Sequence, residues 1–299
     1  MRSLAVFGFH AVVPEPLDVH DPCFVDVGTF YQQLLAIRSR YDVVPLSAGL
    51  RALRAEGDER CTRPMAALTF DDGFRSVCDV ALPVLQELDV PASCFLSTAA
   101  IESGRPLWFC RLHRAITETR RTELSWAGRS WPLTSAPERS FASAALQALL
   151  KDAPGDRVDD ETDELCRLLG VDPVEPGDAA SAYRPMDPES VRSLARAGLI
   201  EFGAHGHRHM ILSTIDTAAQ QEEIETSVAA VRALTGQVAD TFAYPNGARA
   251  DFNEESVAAL QRVGVTAALL AVGGVCTPAS SVWALPRILL DGRSWEARV

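Results

Sequence analysis

The sequence predicts an α/β fold: a distorted barrel of about seven parallel strands with helices outside, forming one domain over residues 1–299. Short apolar runs alternate with helical patterns in the first and last thirds of the chain. Acidic and histidine-rich motifs directly follow two of these runs, and α/β folds carry their sites at the carboxyl ends of strands. The alternation stops at about residues 104–185, which predicts a helical insertion on the barrel.

The N-terminal elements follow from apolar runs and turn signals. A first strand is expected over 4–10, ending at His10, and a loop over 11–28. The next predicted elements are a helix from Thr29, a strand over 41–45 and a helix over 48–55 capped by Ser47. They are followed by a strand over 65–70, a helix over 74–88 bent at Pro83 and a strand over 92–96. This strand–helix–strand order implies parallel strands.

The insertion and the C-terminal third are predicted in the same way. The insertion should contain helices over 107–119, 137–151 and 159–169, and a small hairpin over 126–131. It could form one wall of the site. The later strands are expected over 199–204, 241–244, 266–272 and 283–290. Three helices lie between these strands. The first begins at Pro188 and ends at an αL cap at Gly198, and the other two span 216–234 and 254–263.

Composition limits the classes of function. The net charge of −12 argues against nucleic acid and anionic membranes as partners, because both call for a basic surface. No apolar stretch reaches the roughly 18 residues of a membrane span. The seven cysteines, at 23, 61, 78, 94, 110, 166 and 276, form no Cys-x-x-Cys motif. Most lie in apolar surroundings, which favours reduced thiols and a cytoplasmic location.

Two motifs carry the predicted chemistry. Asp71 and Asp72 end the strand over 65–70, and His205 and His209 follow the strand over 199–204. One helical turn would put the two imidazoles on the same side, because they are four residues apart. One aspartate and two histidines form a typical set of ligands for a catalytic divalent metal with an open water position.

These motifs resemble those of the polysaccharide deacetylase (NodB homology) family, of carbohydrate esterase type. Thr69-Phe70-Asp71-Asp72-Gly73 and His205-x-x-x-His209 resemble its first two motifs. Phe242-Ala243-Tyr244-Pro245-Asn246-Gly247 resembles the third. The resemblance implies metal-dependent removal of an N-acetyl group from an amino sugar in a glycan, glycoside or glycolipid precursor.

The resemblance also implies roles for individual residues. Asp72, His205 and His209 would hold a divalent metal, with Zn²⁺ favoured and Co²⁺, Ni²⁺ or Mn²⁺ as alternatives. Asp71 would act as general base. The backbone N–H of Asn246 would bind the oxyanion together with the metal.

The sequence departs from the family pattern at two catalytic positions. Ala243 stands where relatives often carry an arginine that holds the catalytic aspartate, and Arg287 is the proposed substitute from another strand. No histidine follows His209, so the late general acid of relatives is missing. His10 is the first substitute on position, and His207 is the second.

Trp108 and Tyr244 are candidates for stacking on a sugar ring, with core packing as the commoner fate of such residues. Two other functions stay open. The barrel could hydrolyse another non-peptide C–N bond, in a cyclic amide or a formyl group. It could also be a non-catalytic glycan-binding relative, an alternative motivated by the missing arginine and acid.

Overall fold

The structure is a computed structural model that describes residues 2–55, 63–173, 181–293, 295–296 and 298–299. Its centre is a parallel sheet, as predicted, and the pairs β2-β3 and β7-β8 form two smaller sheets; all strands are numbered together in chain order. The strands are β1 (Leu4–Phe9), β2 (Ala11–Val13), β3 (Phe24–Asp26), β4 (Asp42–Val43), β5 (Met65–Phe70), β6 (Ala92–Leu96), β7 (Glu123–Trp126), β8 (Arg129–Pro132), β9 (Ile200–Ala204), β10 (Thr241–Ala243), β11 (Ala267–Leu269) and β12 (Ile288–Leu289).

The helices surround this sheet or belong to the insertion. They are α1 (Val27–Arg40), α2 (Leu46–Arg54), α3 (Leu82–Glu87), α4 (Thr98–Ser103), α5 (Trp108–Glu118), α6 (Ala136–Lys151), α7 (Val158–Leu169), α8 (Pro188–Ala197), α9 (Thr217–Thr235) and α10 (Glu254–Arg262). Among the described residues, none of these helices has the length and apolar character needed to cross a bilayer.

Within the described chain, seven parallel strands follow the order β11-β10-β9-β6-β5-β1-β12, and β4 pairs with the start of β5. The sheet curls until one short segment contacts both of its edges. Ile288 of β12 pairs with Phe7 of β1, while Leu285, just before β12, bridges to Leu269 of β11. The predicted distorted barrel is therefore confirmed.

The two faces of the sheet explain its sequence. On the outer face, Phe9 and Phe70 stack at 5.6 Å and pack against Phe30 of α1. The inner face carries mostly small or aliphatic side chains together with Phe95, and α2 covers one end of the barrel with Leu46, Leu50 and Leu53. Burial on both faces is why these strands are continuous apolar runs.

Three local predictions were wrong, and a fourth needs refinement. The expected loop over 11–28 contains β2 and β3, which pair in parallel. Ser47 does not cap α2 with its own side chain; the Glu201 carboxylate accepts from its backbone N–H at 3.1 Å and from its hydroxyl. The helix predicted over 74–88 is present, but it has π geometry over Val77–Ala81 and continues directly into α3 just before Pro83. The expected last strand over 283–290 is regular only in β12, because the preceding residues span the two sheet edges.

The insertion leaves the carboxyl end of β6 and returns through α8 to β9, which pairs with β6. Its predicted helices correspond to α5, α6 and α7, and β7 and β8 form the hairpin, longer than expected. Ala127 and Gly128 make its turn with positive φ angles of 49° and 72°, as a two-residue hairpin requires. Residues 174–180 of the expected insertion lie outside the described residues, as does Cys61; the other six cysteines are free thiols.

Candidate metal centre and active site

The carboxyl ends of β5 and β9 bring three potential metal ligands together. Asp72 follows β5, His205 follows β9, and His209 lies on the loop beyond it. One ligand atom from each residue lies within 4.8 Å of the others. The Nε2 atoms of His205 and His209 lie 3.4 Å and 3.3 Å from the same oxygen, Oδ1 of Asp72. All three side chains are buried.

The backbone at these positions is unusual. Asp72 has a φ of 73° and His209 a φ of 59°, in the left-handed region that side chains other than glycine seldom adopt. The segment after His205 is a loop, so the expectation that a helical turn aligns the two imidazoles was wrong. A left-handed residue at His209 folds the loop back toward Asp72 instead. Such strain is typical of functional sites.

Three polar atoms of this cluster have no hydrogen-bond partner within the described protein. Both carboxylate oxygens of Asp72 and Nδ1 of His209 are buried without a hydrogen-bond partner. His205 donates from Nδ1 to the carbonyl oxygen of Ala243 at 2.7 Å, which leaves its Nε2 lone pair facing Asp72. Buried polar groups are normally satisfied, and a second hydrogen bond of this kind orients metal-binding histidines. The donor set therefore fits a divalent cation.

Burial and neighbouring charges set the protonation of the cluster. Burial lowers the pKa of His209 to about 4, so its imidazole is neutral near pH 7. Burial would raise the pKa of Asp72, but His205 and His209 outweigh it and the pKa is lowered. Burial would lower the pKa of His205, but the carboxylates of Asp71 and Asp72 outweigh it and the pKa is raised. A neutral imidazole and an ionised carboxylate are the forms that bind metal, so His205 would give up any proton on Nε2 when a cation binds.

Asp71 forms a buried ion pair with Arg287. The guanidinium donates to both oxygens of the carboxylate, at 2.8 and 2.7 Å. It also donates to the Leu270 carbonyl at 2.7 Å and to the Thr69 hydroxyl at 3.1 Å, and it is fully buried. Burial alone would raise the pKa of Asp71, but the Arg287 charge outweighs it and holds the pKa well below its ordinary range.

Gly8 of β1 pairs with Leu289 of β12, the strand that follows Arg287. A Cβ added at Gly8 would clash with the Leu289 side chain at 2.5 Å, whereas it would lie at an ordinary contact distance, 3.7 Å, from Nη1 of Arg287. Glycine at this position therefore permits the close packing of β12 on β1. Arg287 reaches Asp71 from the segment before β12 and not from the third motif.

Glu223 of α9 is hydrogen-bonded to the loop over 205–209, which we call the histidine loop, and the sequence analysis did not identify it. Its fully buried carboxylate accepts from the backbone N–H groups of His207 and Arg208, at 3.0 and 2.8 Å, and from the Arg208 side chain at 2.8 Å. The available signal was a charged residue on the face of α9 that packs against the core with Ile224 and Val228. Its contacts fix the loop between the two histidine ligands.

The other predicted site residues separate into two groups. His10, Trp108 and Asn246 line the same cavity of about 270 Å³ as Asp71 and the metal-ligand cluster. His207 is turned away, because its Nδ1 contacts the Thr98 hydroxyl at 2.9 Å. The Asn246 side-chain amide donates to the Asp251 carboxylate at 2.6 Å, so this amide group already has a hydrogen-bond partner.

Tyr244 reaches the edge of the cavity, but its ring face is occupied. Its ring stacks on Phe252 at 4.0 Å and 10°, and its hydroxyl donates to the Trp283 carbonyl oxygen at 3.1 Å. Its exposed fraction is 1 %. Core packing, the alternative considered from sequence, accounts for these contacts.

The insertion supplies one wall of the cavity. Trp108 and Phe109 of α5 and Gln147 and Lys151 of α6 line it opposite the barrel residues. Phe109 also packs against the His209 ring, with centroids 5.3 Å apart. Sequence reasoning identified Trp108 in this group but not the other three.

A parallel barrel with a buried carboxylate–imidazole cluster beside an ion-paired aspartate defines the chain as an α/β-barrel protein with a hydrolase-like site. The polysaccharide deacetylase family profile matches residues 58–268, well over half of the chain. The chain therefore belongs to the polysaccharide deacetylase family, as its motifs indicated. Comparison with curated proteins gives no match.

Several solved structures share the fold. The deacetylase PplD of Streptococcus pyogenes, in complex with acetate, has a TM-score of 0.63 at 16% identity and covers 97% of this chain and 93% of its own. IcaB from Ammonifex degensii has a TM-score of 0.60 at 17% identity, with 99% and 95% covered. A de-N-acetylase from Aggregatibacter actinomycetemcomitans has a TM-score of 0.60 at 13% identity, with 98% and 96% covered. At these identities the likeness concerns the fold.

Proposed function

We propose that this protein is a metal-dependent carbohydrate deacetylase that removes an N-acetyl group from an amino sugar. The observation that carries the proposal is the buried cluster of Asp72, His205 and His209, whose ligand atoms lie within 4.8 Å of one another beside Asp71. Membership of the polysaccharide deacetylase family supports the same reaction.

The metal would be held by Asp72, His205 and His209, with Zn²⁺ as the favoured ion. A cation in this position supplies Lewis acidity toward the amide oxygen and lowers the pKa of water. This contribution matters because the ion pair that keeps Asp71 ionised also weakens it as a base.

Asp71 takes the proton of the attacking water in this mechanism. Arg287 occupies one lone pair on each carboxylate oxygen, and each oxygen retains another for the water. The ion pair fixes the direction of the carboxylate and keeps it charged. The backbone N–H of Asn246 donates to the acetyl oxygen as negative charge develops there.

His10 is the proposed proton donor to the leaving amine. It is half-buried at the end of β1 and lines the cavity with both aspartates. Trp108 also lines the cavity, but it is mostly buried and packs edge-on against Phe109, so only the small exposed part of its ring would contact a sugar. The cytoplasmic location stays a prediction, supported by the six free thiols among the described residues.

The test combines metal analysis with acetate release. Purified protein is expected to contain about one divalent metal ion per chain and to release acetate from N-acetylglucosamine glycosides or oligomers. A parallel panel of cyclic imides and formylated amines tests the alternative of another C–N bond. Stoichiometric metal with turnover only on that panel would reject the deacetylase proposal, and absence of metal would support a non-catalytic role.

A further inference from the structure

One basic residue of the chain differs from all the others in type, and it lies at the cavity of the candidate active site. The sequence contains 28 basic side chains, and Lys151 is the only lysine among them. It is the last residue of α6, on the insertion, and it is half-buried. It lines the cavity that holds Asp71, Asp72, His205 and His209.

Lys151 also lines a second, smaller cavity, which we call the outer cavity. Trp108, Asp156, Arg208 and Met210 are among its other lining residues. Four residues line both cavities, which are therefore adjacent: Trp108, Lys151, His209 and Ile211. A substituent on the sugar that carries the acetamide would pass close to this ammonium group.

The arginines near the site are neutralised, and Lys151 is not. Arg287 pairs with Asp71, and Arg208 pairs with Glu223. Arg111, three residues after Trp108 on α5, pairs with Asp159 and Asp163. Within the described part of the chain, Lys151 forms no hydrogen bond or ion pair. Lys151 therefore brings to the lining of both cavities a charge that no carboxylate of the described chain neutralises through an ion pair.

We propose that Lys151 is a specificity-determining residue that binds an anionic substituent of the substrate, a phosphate or a carboxylate close to the N-acetyl group. This inference rests on the proposed deacetylase function and narrows its substrate class to acidic amino sugars. The ammonium group is a compact charge with three donors, suited to either anion. The net charge of −12 makes an unpaired cation in the cavity a selective feature, because the general surface repels acidic sugars.

The test measures binding of deacetylated products, so it does not depend on turnover. Calorimetry would compare glucosamine with glucosamine 6-phosphate, glucosamine 1-phosphate and muramic acid; the last carries a carboxylate in place of phosphate. We expect at least one anionic sugar to bind wild type about tenfold more tightly than glucosamine, the size of one charge-assisted hydrogen bond.

Three variants make the result specific to Lys151. Lys151→Gln is expected to bring the ratio of anionic to neutral affinity close to one, and Lys151→Arg is expected to keep part of it. Arg129→Gln, which removes an exposed charge from the hairpin of the same insertion, is expected to leave the ratio unchanged. Circular dichroism of each variant checks that it is folded.

Two results would overturn the proposal. The first is equal binding of all four sugars to wild type. The second is a preference that persists in Lys151→Gln, as direct binding of phosphate to a metal would produce. Acetate release from the acetylated counterparts is measured separately. A Lys151-dependent preference without any acetate release would reject the deacetylase function alone, whereas turnover without that preference would reject the role of Lys151 alone.

Discussion

The barrel and the insertion line the same cavity in different ways. The barrel residues are fixed by many contacts, since Arg287 makes four hydrogen bonds inside the barrel and His205 is oriented by a backbone carbonyl. The insertion contributes Lys151, which has no hydrogen bond or ion pair within the described chain, and Trp108, which is mostly buried and packs edge-on against Phe109. Preorganised groups suit bond-breaking, whereas apolar surface and an unpaired charge suit recognition. We therefore expect barrel substitutions to affect turnover and metal binding, and insertion substitutions to affect substrate affinity.

The largest effect is expected from Asp71→Asn. Loss of the base should lower kcat by about 10²–10⁴-fold while the metal is retained, because the three proposed ligands are unchanged. Steady-state kinetics and metal analysis of the same sample measure both quantities. Asp79→Asn, an exposed aspartate after the same strand, is the matched control. Undiminished turnover in Asp71→Asn would remove Asp71 from the mechanism.

Arg287→Met tests the buried ion pair of the barrel. Leaving Asp71 charged and unpaired should lower the free energy of unfolding by about 3–5 kcal/mol. Urea unfolding measures this loss, and the double variant with Asp71→Asn should recover part of it. A double variant no more stable than Arg287→Met would mean that lost packing, and not the unpaired charge, causes the loss.

The same pair predicts a pH dependence. Because the pKa of Asp71 is lowered in the folded protein, the ion pair stabilises fully above the ordinary aspartate pKa of about 4. Its contribution falls as the pH drops from there toward the folded pKa. The stability difference between wild type and Arg287→Met should therefore be constant near neutrality and shrink in acid. A difference that grows below about pH 4 would contradict the assigned sign.

Glu223→Gln probes support of the histidine loop from outside the metal cluster. The neutral amide of glutamine accepts hydrogen bonds from the His207 and Arg208 backbone N–H groups more weakly than the carboxylate does. The loop should therefore loosen, and the metal affinity should fall by about 10–100-fold. Titration against a competing chelator measures the affinity. Glu222→Gln, the exposed neighbour on α9, should leave it unchanged. Equal affinity in both variants would show that the loop holds its shape without Glu223.

The smallest effect is expected from Trp108→Phe on the insertion. A smaller ring should raise KM by about two- to tenfold and change kcat little, since the proposed mechanism gives Trp108 no part in the proton transfers. Kinetics on an N-acetylglucosamine oligomer measures the split. A fall in kcat at constant KM would break the distinction between barrel and insertion.

Sequence reasoning predicted much of the barrel because its signals are local. Apolar runs ending in Asp71 and His205 located the strand ends, and the family motifs indicated which side chains meet there. The short strands β2 and β3 were missed, because three-residue strands lack a measurable period. The left-handed turn at His209 and the support from Glu223 depend on tertiary contacts, which spacing along the chain does not encode.

The barrel-closing segment has a consequence for the order in which the site is assembled. Asp71 and Arg287 are 216 positions apart, and Arg287 lies where the chain joins both sheet edges. During synthesis, the aspartate emerges from the ribosome long before its counter-ion. The charged base is therefore held in its working orientation only after the last strand has docked, which couples completion of the fold to the onset of activity.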